Sequence, residues 1–283
     1  MKEFAILGDT SADLDFKLAD RFDLYILPYS ITLNGNPYRD LIDISSREVY
    51  HAMKGPIDFK TAVPPLENAR ELIQKIIDDG YKKIIMIASS ARITGMINMM
   101  NTVRNYFPEI DICIIDSRSC GMGTGIQLVY ASQLREAGLT MEDTINKLKD
   151  NRKNLKVLAL LRTFKYVVKS GRIGKVKGKL GQLLNIYPLL DEKDGKIIVR
   201  EKLRGKKQSL KRVATCTKEM LKNKDNYYMS IFSADNEEEK SILRDLLSEE
   251  IKNAKIYLET ELTSVLGGHV GPKTIGVSLY LLS

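Results

Sequence analysis

The alternation of short apolar runs with helix-like segments in the first half of the chain constrains the fold most strongly. Residues 83–88 and 111–116 are apolar runs of strand length, and residues 2–8 form a similar run. Residues 64–79 carry apolar side chains at helical spacing, and residues 95–106 also suit a helix. Strands that are buried on both faces and separated by helices form a parallel sheet with helices on each side. The first half is therefore predicted to be α/β with a parallel sheet.

Hydroxyl-rich turns follow three of the predicted strands. They are residues 9–11, the pair Ser89 and Ser90, and residues 116–119, which include Ser117. Ser and Asp also cap helices, so each turn alone has a structural explanation. In parallel sheets, however, ligands bind beyond the carboxyl ends of the strands. Three such turns at equivalent places predict a shared pocket.

The pattern changes after residue 154. A strand is predicted at residues 157–161, and the turn at residues 192–195 indicates a hairpin. A single helix is predicted at residues 237–253, and an apolar strand closes the chain. A length of 283 residues is typical of two domains. We predict the domains to be residues 1–154, with a parallel sheet, and residues 155–283, with a mixed sheet.

Positive charge is concentrated in one segment. The chain has 44 Lys and Arg against 36 Asp and Glu, a net charge of +8. Residues 151–212 hold 19 Lys and Arg against 4 Asp and Glu, which gives +15, so the remainder of the chain carries −7. Such a segment attracts nucleic acid, phosphate, an acidic membrane surface or an acidic partner, or forms a solvated lysine-rich face.

The motifs of several enzyme classes are missing from the sequence. Residues 174–180 have the wrong spacing for a phosphate-binding loop, and residues 121–125 match a dinucleotide fingerprint only weakly. The two histidines, His51 and His269, show no zinc-site spacing, and no catalytic triad can be selected. His269 lies in residues 267–272, which are rich in Gly and Pro and are predicted to be a loop presenting the imidazole. An autonomous enzyme is therefore disfavoured.

The cellular compartment is predicted from the apolar runs, the first residues and the cysteines. No apolar run approaches the roughly 18 residues needed to span a bilayer. The first residues reach Asp9 too soon for a signal peptide, and the three cysteines include no CxxC pair. We expect reduced thiols in a cytoplasmic protein.

Several motifs in order resemble the DegV family of bacterial fatty-acid-binding proteins, the lipid-binding partners of fatty-acid kinase. Residues 9–14 are similar to the family's opening Asp-Ser-Thr-Ala-Asp-Leu, and residues 116–125 to its Asp-Ser-x-x-x-Gly-x-Gly turn. Residues 164–174 are similar to its Leu-x-Tyr-Leu-x-x-Gly-Gly-Arg-Ile segment. Residues 267–272 are similar to its closing Gly-Thr-His-Thr-Gly-Pro. The resemblance runs nearly end to end.

The resemblance implies a fold and a function. The expected fold is a two-domain α/β protein, with an N-terminal three-layer α/β/α domain and a C-terminal two-layer domain with a mixed sheet. A long-chain fatty acid would lie in an apolar tunnel between the domains, without a cofactor. The protein would be a carrier rather than an enzyme, and it would present the carboxylate to a fatty-acid kinase. The resulting acyl phosphate would feed phospholipid synthesis.

The resemblance also assigns site residues. The family's Thr-Ser-Gln-Pro motif reads Thr-Ala-Val-Pro from Thr61 onward, so the threonine is kept. Its Ser-Ser-x-Leu-Ser-Gly-Thr segment is matched at residues 89–96 with one extra residue, which puts Thr94 at the carboxylate-binding serine. Arg172 and His269 match family residues near the carboxylate. The expected pocket loops contain Ser89, Ser90, Gly95, Ser117 and Gly268.

The resemblance assigns different roles to different residues of the basic segment. Arg204 matches a position implicated in docking to the kinase, and Lys206 and Lys207 are assigned to the same partner surface. For lysines such as Lys175, Lys177 and Lys179, a solvated face and transient contact with an anionic membrane both stay open. The alternative function is nucleic-acid binding through residues 151–212. This segment has few aromatic residues and no known recognition motif, and both features count against the alternative.

Overall fold

The computed structural model describes residues 2–173 and 185–282. The strands are, in chain order, β1 (Ala5–Asp9), β2 (Tyr25–Leu27), β3 (Ser30–Leu33), β4 (Asn36–Arg39), β5 (Phe59–Ala62), β6 (Lys83–Ala88), β7 (Asp111–Asp116), β8 (Leu155–Leu160), β9 (Ile186–Lys193), β10 (Lys196–Arg204), β11 (Tyr227–Ser233), β12 (Ile256–Glu261) and β13 (Ile275–Leu281). The α-helices are α1 (Phe16–Arg21), α2 (Ser46–Ala52), α3 (Leu66–Asp78), α4 (Met96–Arg104), α5 (Met122–Glu136), α6 (Met141–Asn151), α7 (Lys165–Ser170), α8 (Lys206–Leu221), α9 (Glu237–Leu246), α10 (Ser248–Asn253) and α11 (Ser264–Val270).

The predicted parallel sheet is present, with strand order β2-β1-β6-β7. Successive side chains of a strand point to opposite faces, and both faces are covered here. Leu7 and Met86 share a buried cluster with Ile73 of α3 and with helix α4. The alternate residues, such as Ile6, pack on the side of helix α5. The first part of the chain therefore has the expected helix–sheet–helix layers.

A six-stranded mixed sheet is formed wholly from residues 155–281. Its order is β10-β9-β8-β13-β11-β12, in which only the β11–β12 pair is parallel. Helices α8 and α9 contribute to the buried cluster on one face. These features, together with the parallel sheet, confirm the predicted fold class.

Helix α5 packs on both sheets. Tyr130, on this helix, meets the rings of Tyr228 and Tyr280 of the mixed sheet edge-on, at centroid distances of 5.9 and 5.2 Å. One hydrophobic cluster consequently runs from β1 and β6 through α5 to β11 and β13. Since this helix packs on both sheets, the boundary between two domains at residue 154 stays a prediction.

A small antiparallel sheet has the order β4-β3-β5, and its three strands come between β2 and β6 in the sequence. Ile31 of β3 is paired with Thr61 of β5 in its register. Helices α2 and α11 pack together, and the hydroxyl of Tyr50 donates to the carbonyl oxygen of Leu262 at 2.5 Å. This packing places the end of β5 next to α11.

Two sequence predictions were wrong. The predicted helix over residues 237–253 is divided into α9 and α10 at Leu247, whose φ of −114° and ψ of 18° are not helical. The predicted loop over residues 267–272 is mostly helix α11. A Cβ at Gly267 would overlap the ring of Tyr50, and one at Gly268 would overlap Phe59. The glycines therefore permit close helix packing rather than a loop.

None of the helices in the described ranges has the length and apolarity that crossing a bilayer requires.

Candidate ligand-binding site

The three hydroxyl-rich turns meet in a buried network. Ser11 Oγ lies 2.8 Å from Ser89 Oγ, which lies 3.3 Å from Thr124 Oγ1. Thr124 Oγ1 in turn lies 2.9 Å from Ser117 Oγ. Asp9 accepts a hydrogen bond from the backbone N of Ser11 at 2.8 Å. The turns are thus brought together at the carboxyl edge of the parallel sheet.

The members of this network differ in what they face. Ser11 and Ser89 line a cavity of about 320 Å³ at the sheet edge. Ser117 bonds within its own turn and to Thr124, and Ser90 Oγ donates to the carbonyl oxygen of Gly195 at 2.8 Å. Ser90 therefore anchors the tip of the β9–β10 hairpin on the end of β6.

The four predicted carboxylate-binding residues all line this cavity. Thr61 comes from the end of β5, Thr94 from the turn before α4, Arg172 from the segment after α7, and His269 from α11. Further wall residues are Gly95, Ile93, Ala62, Val63, Val167, Ser170 and Val265. Ala62 and Val63, which replace the Ser and Gln expected from the resemblance, add apolar wall beside Thr61.

Thr61 and His269 form one half of the polar site. Thr61 Oγ1 lies 2.8 Å from His269 Nε2, and the imidazole meets the ring of Phe59 edge-on at 5.6 Å. Burial, and secondly the charge of Arg172, lower the pKa of His269 to about 4. The imidazole is therefore neutral at neutral pH. In the tautomer that is protonated on Nε2, it donates to Thr61 and leaves the hydroxyl hydrogen of Thr61 free for a ligand.

Thr94 and Tyr29 form the other half. The Tyr29 hydroxyl lies 2.5 Å from Thr94 Oγ1, which also accepts from the backbone N of Met96 at 3.2 Å. Burial raises the pKa of Tyr29 above its usual value, so its hydroxyl keeps its proton, and either hydroxyl can be the donor in this contact. In the arrangement in which Tyr29 donates to Thr94, the hydroxyl hydrogen of Thr94 is free to donate into the cavity. Tyr29 was missed in the sequence because it belongs to no motif.

Cationic side chains surround the opening. Arg172 is exposed, and its Nη1 donates to the carbonyl oxygen of Ser170 at 2.9 Å. An outer groove of about 620 Å³ reaches the same Thr61 and His269 from the surface. Its walls include Lys60, Lys165, Lys169, Arg172 and Gly268. An anion at the opening would be attracted by these charges.

An inner, mostly apolar cavity of about 50 Å³ adjoins the first one. The two share four wall residues, namely Cys120, Ile197, Leu266 and Val270. The inner walls continue with apolar side chains of the mixed sheet and the start of α5, such as Met122, Val157, Leu190 and Phe232. A cationic opening, two threonines and a histidine therefore lie next to the apolar interior.

The residues predicted for partner docking lie elsewhere. Arg204 ends β10 and is exposed, and Lys206 and Lys207 begin α8. Both lysines line a separate groove of about 440 Å³ with Ile242, and Lys206 Nζ lies 3.3 Å from Glu239 Oε1. The lysines considered for membrane contact, Lys175, Lys177 and Lys179, lie outside the described residues.

The whole chain matches one protein family. A sequence model of the DegV family of uncharacterised proteins matches residues 3–281. The chain belongs to the DegV family. A DegV domain-containing protein of Clostridium acetobutylicum is 30% identical over 282 residues, which cover 99% of each chain. A second one from the same organism is 30% identical over 281 residues, again 99% of each chain.

Solved structures share the fold of this DegV family member. A fatty-acid-binding DegV family protein from Thermus thermophilus superposes with a TM-score of 0.90 at 22% identity, covering 100% of both chains. DegV from Bacillus subtilis, a fatty-acid-binding protein, gives 0.88 at 20% identity, covering 99% of this chain and 100% of its own. A stearic-acid-binding protein from Eubacterium ventriosum gives 0.87 at 23% identity, covering 99% and 98%.

Proposed function

We propose that this protein binds one long-chain fatty acid in the joined cavities. Its carboxylate bonds to Thr61, Thr94, Arg172 and His269, and its hydrocarbon chain extends into the inner cavity. The observation that carries the proposal is that a cationic, hydroxyl-lined opening adjoins an apolar interior. The solved DegV relatives that bind fatty acids support the same ligand class.

The donors suit a carboxylate. Burying an ionised group costs free energy unless hydrogen bonds replace its hydration. When Tyr29 and the Nε2-protonated form of His269 are the donors in their contacts with the two threonines, both threonine hydroxyls can donate to the carboxylate. Arg172 adds a permanent positive charge at the opening. Hydrogen bonds to a charged acceptor are stronger than those between neutral groups.

The proposal includes a partner that performs the chemistry. In the cytoplasm, the bound carboxylate would be presented to a fatty-acid kinase, which supplies ATP and Mg²⁺ and forms the acyl phosphate. The added phosphate brings more negative charge to the opening, where Arg172, Lys165 and Lys169 would stabilise it. Arg204, Lys206 and Lys207 are proposed to contact the kinase. This chain then acts as a lipid carrier in phospholipid synthesis.

Two measurements test the binding proposal. Mass spectrometry of an organic extract of the folded, purified protein should find a long-chain fatty acid. Added stearic acid should raise the melting temperature of delipidated protein, because a ligand that binds only the native state stabilises it. An extract without acyl chains and a melting temperature that stearic acid leaves unchanged would overturn the proposal. The kinase step fails separately if the loaded protein yields no acyl phosphate with fatty-acid kinase and ATP.

The described ion pairs weigh against nucleic-acid binding by the basic segment. Arg200 Nη1 lies 2.7 Å from Asp191, and Arg212 Nη2 lies 2.8 Å from Glu201. Arg162 is paired with Glu239, which comes from α9. Of these three acidic groups, Glu239 lies outside residues 151–212 and so compensates part of the +15 charge, whereas Asp191 and Glu201 are already counted in it. No arrangement of the described residues specifically favours a nucleic acid.

A further inference from the structure

Residues 9–13 contain the first hydroxyl-rich turn, and they contact both halves of the polar site. They follow β1, and all five are buried. The segment forms one short 3-10 helix, Thr10–Ala12, and ends at Asp13, whose φ of 55° and ψ of 32° lie in the left-handed region. None of these residues is among the proposed contacts of the ligand, so the motif needs another explanation.

Thr10 connects the turn to the half of the site that contains Tyr29 and Thr94. Thr10 Oγ1 accepts a hydrogen bond from the backbone N of Tyr29 at 3.1 Å, and both residues are buried. The hydroxyl at the far end of the Tyr29 side chain lies 2.5 Å from Thr94 Oγ1. The backbone of Tyr29 is thus tied to the turn, while its ring extends to Thr94.

Asp13 and Thr10 connect the same turn to helix α11, which carries His269. Asp13 Oδ1 accepts from the backbone N of Thr263 at 2.9 Å, and Thr263 Oγ1 donates to the carbonyl oxygen of Thr10 at 2.8 Å. Thr263 is the N-cap of α11, a position at which a threonine hydroxyl commonly bonds to its own helix. It makes no such bond here. Its hydroxyl holds the start of the helix on the turn instead.

One carboxylate has to fit both halves of the site. Its two oxygens are a fixed distance apart, so it can bond to Thr61 and Thr94 together only when the two halves have one relative position. Binding groups of this kind have to be held to within about 0.5 Å by the residues around them. A turn that is bonded to both halves is placed to provide this.

We propose that Thr10 and Asp13 are positioning residues, which fix helix α11, and with it His269, relative to Thr94. They would not touch the ligand themselves. The inference rests on the proposed fatty-acid binding and adds how its carboxylate site is held together.

A comparison of two ligands tests the proposal. Stearic acid and 1-octadecanol would each displace a fluorescent fatty acid from the delipidated protein, and the ratio of their affinities isolates recognition of the carboxylate. Asp13→Gly removes the carboxyl group, and glycine accepts the left-handed backbone. It should lower the ratio about tenfold, the effect of one lost hydrogen bond to a charged group. An unchanged ratio would overturn the proposal. If the wild type binds neither ligand, or binds both equally, the proposed function fails instead.

A conservative variant and a matched control separate positioning from general damage. Asp13→Asn should keep most of the wild-type ratio, because asparagine retains an oxygen for the N–H of Thr263 and also adopts the left-handed conformation. Burial raises the pKa of Asp13 well above its usual value, which favours the neutral form that asparagine resembles. The control is Asp15→Gly, since Asp15 Oδ1 accepts from the backbone N of Leu18 at 2.8 Å as the N-cap of α1. An equal fall of the ratio in Asp15→Gly would contradict a specific role for Asp13.

Thr263→Val tests the same link from the side of α11, and it replaces Asp13→Gly if that variant does not fold. It removes the hydroxyl that donates to Thr10 and keeps the shape of the side chain, so the ratio should fall several-fold, whereas Thr263→Ser should keep it. An NMR titration of the His269 ring adds a direct readout. Its pKa, about 4 in the wild type, should rise as the imidazole becomes more exposed. A wild-type ratio together with a wild-type pKa in Thr263→Val would overturn the proposal.

Discussion

Thr61 Oγ1 lies 2.8 Å from His269 Nε2, although 208 residues separate the two in the chain. The contact joins the end of β5 in the three-stranded sheet to helix α11 near the C-terminus. This half of the polar site is therefore assembled from the two predicted domains, residues 1–154 and 155–283. Ligand binding is consequently expected to stabilise the contacts between distant parts of the chain, and not only the residues around the cavity.

Valine substitutions test the hydroxyl groups of the two threonines, because valine keeps the shape of the side chain and lacks the hydroxyl. Thr61→Val and Thr94→Val each remove a donor to a charged carboxylate, so each should weaken stearic acid binding by about 1–3 kcal/mol, roughly 5- to 150-fold. Displacement of a fluorescent fatty acid measures the loss. Thr102→Val is the matched control, because the Thr102 hydroxyl is exposed and bonds to Asn98 O within helix α4. Unchanged affinity in both site variants would remove these hydroxyls from the site.

His269 should make stability depend on pH in a known direction. Its pKa is about 4 in the folded protein and 6.5 in an unfolded chain, so the unfolded state binds more protons between these values. The contribution of His269 is therefore present above pH 6.5 and is lost as the pH falls toward 4, by roughly 3 kcal/mol in total.

The measurement compares wild type with His269→Gln by urea unfolding across this pH range. Buried Asp9 and Asp40, whose burial raises each pKa to about 6, oppose the trend in both proteins, so the difference isolates the histidine. His269→Gln should lose less stability on acidification. The exposed His51 provides the control His51→Gln. A difference curve that is flat between pH 6.5 and 4 would contradict the prediction.

Arg172 should contribute charge rather than shape. Arg172→Gln is expected to weaken stearic acid binding several-fold, and to reduce the sensitivity of Kd to salt, because exposed charges are screened. Calorimetric titrations at low and high ionic strength measure both effects. Lys153→Gln removes an exposed cation away from the cavity residues and should change neither. Equal salt dependence in wild type and Arg172→Gln would argue against a role in ligand charge.

Gly268 should be intolerant of a single methyl group. A Cβ there would overlap the ring of Phe59, so Gly268→Ala should cost about 1–3 kcal/mol of unfolding free energy and should displace His269. Gly55→Ala is the control, because the nearest atom to its Cβ would be Ala52 O at 3.9 Å. Urea denaturation and stearic acid titration check stability and binding. Two variants of equal stability would contradict the close packing.

The sequence predicted best what depends on local pattern. The bounds of β6 and β7 match the apolar runs at residues 83–88 and 111–116, since such runs are recognisable without any tertiary contact. These runs predicted the parallel sheet, and the parallel sheet predicted that the hydroxyl-rich turns lie close together. The assignments of Thr61 and His269 came from the family resemblance instead, and their roles stay predictions.

What the sequence did not predict depends on packing. In helix α11 the rings of Tyr50 and Phe59 pack against two glycines, and no local signal in residues 267–272 indicates those contacts. Tyr29 enters the site through a loop between strands, with no motif around it. Glu192 was assigned to a turn, yet its carboxyl is buried against Cys120, some 72 residues away in the chain.

Helix α5 has a geometric consequence for the ligand. It fills the layer between the parallel and mixed sheets, and the inner cavity is lined by its first residue, Met122, and by Gly121 just before it. The cavity thus lies between the two sheets, at the N-terminal end of helix α5. The separation of the sheets there is set by the diameter of this helix, which is about 10 Å with its side chains. For the proposed fatty acid, we expect the position at which this helix begins to limit the length of the acyl chain that fits.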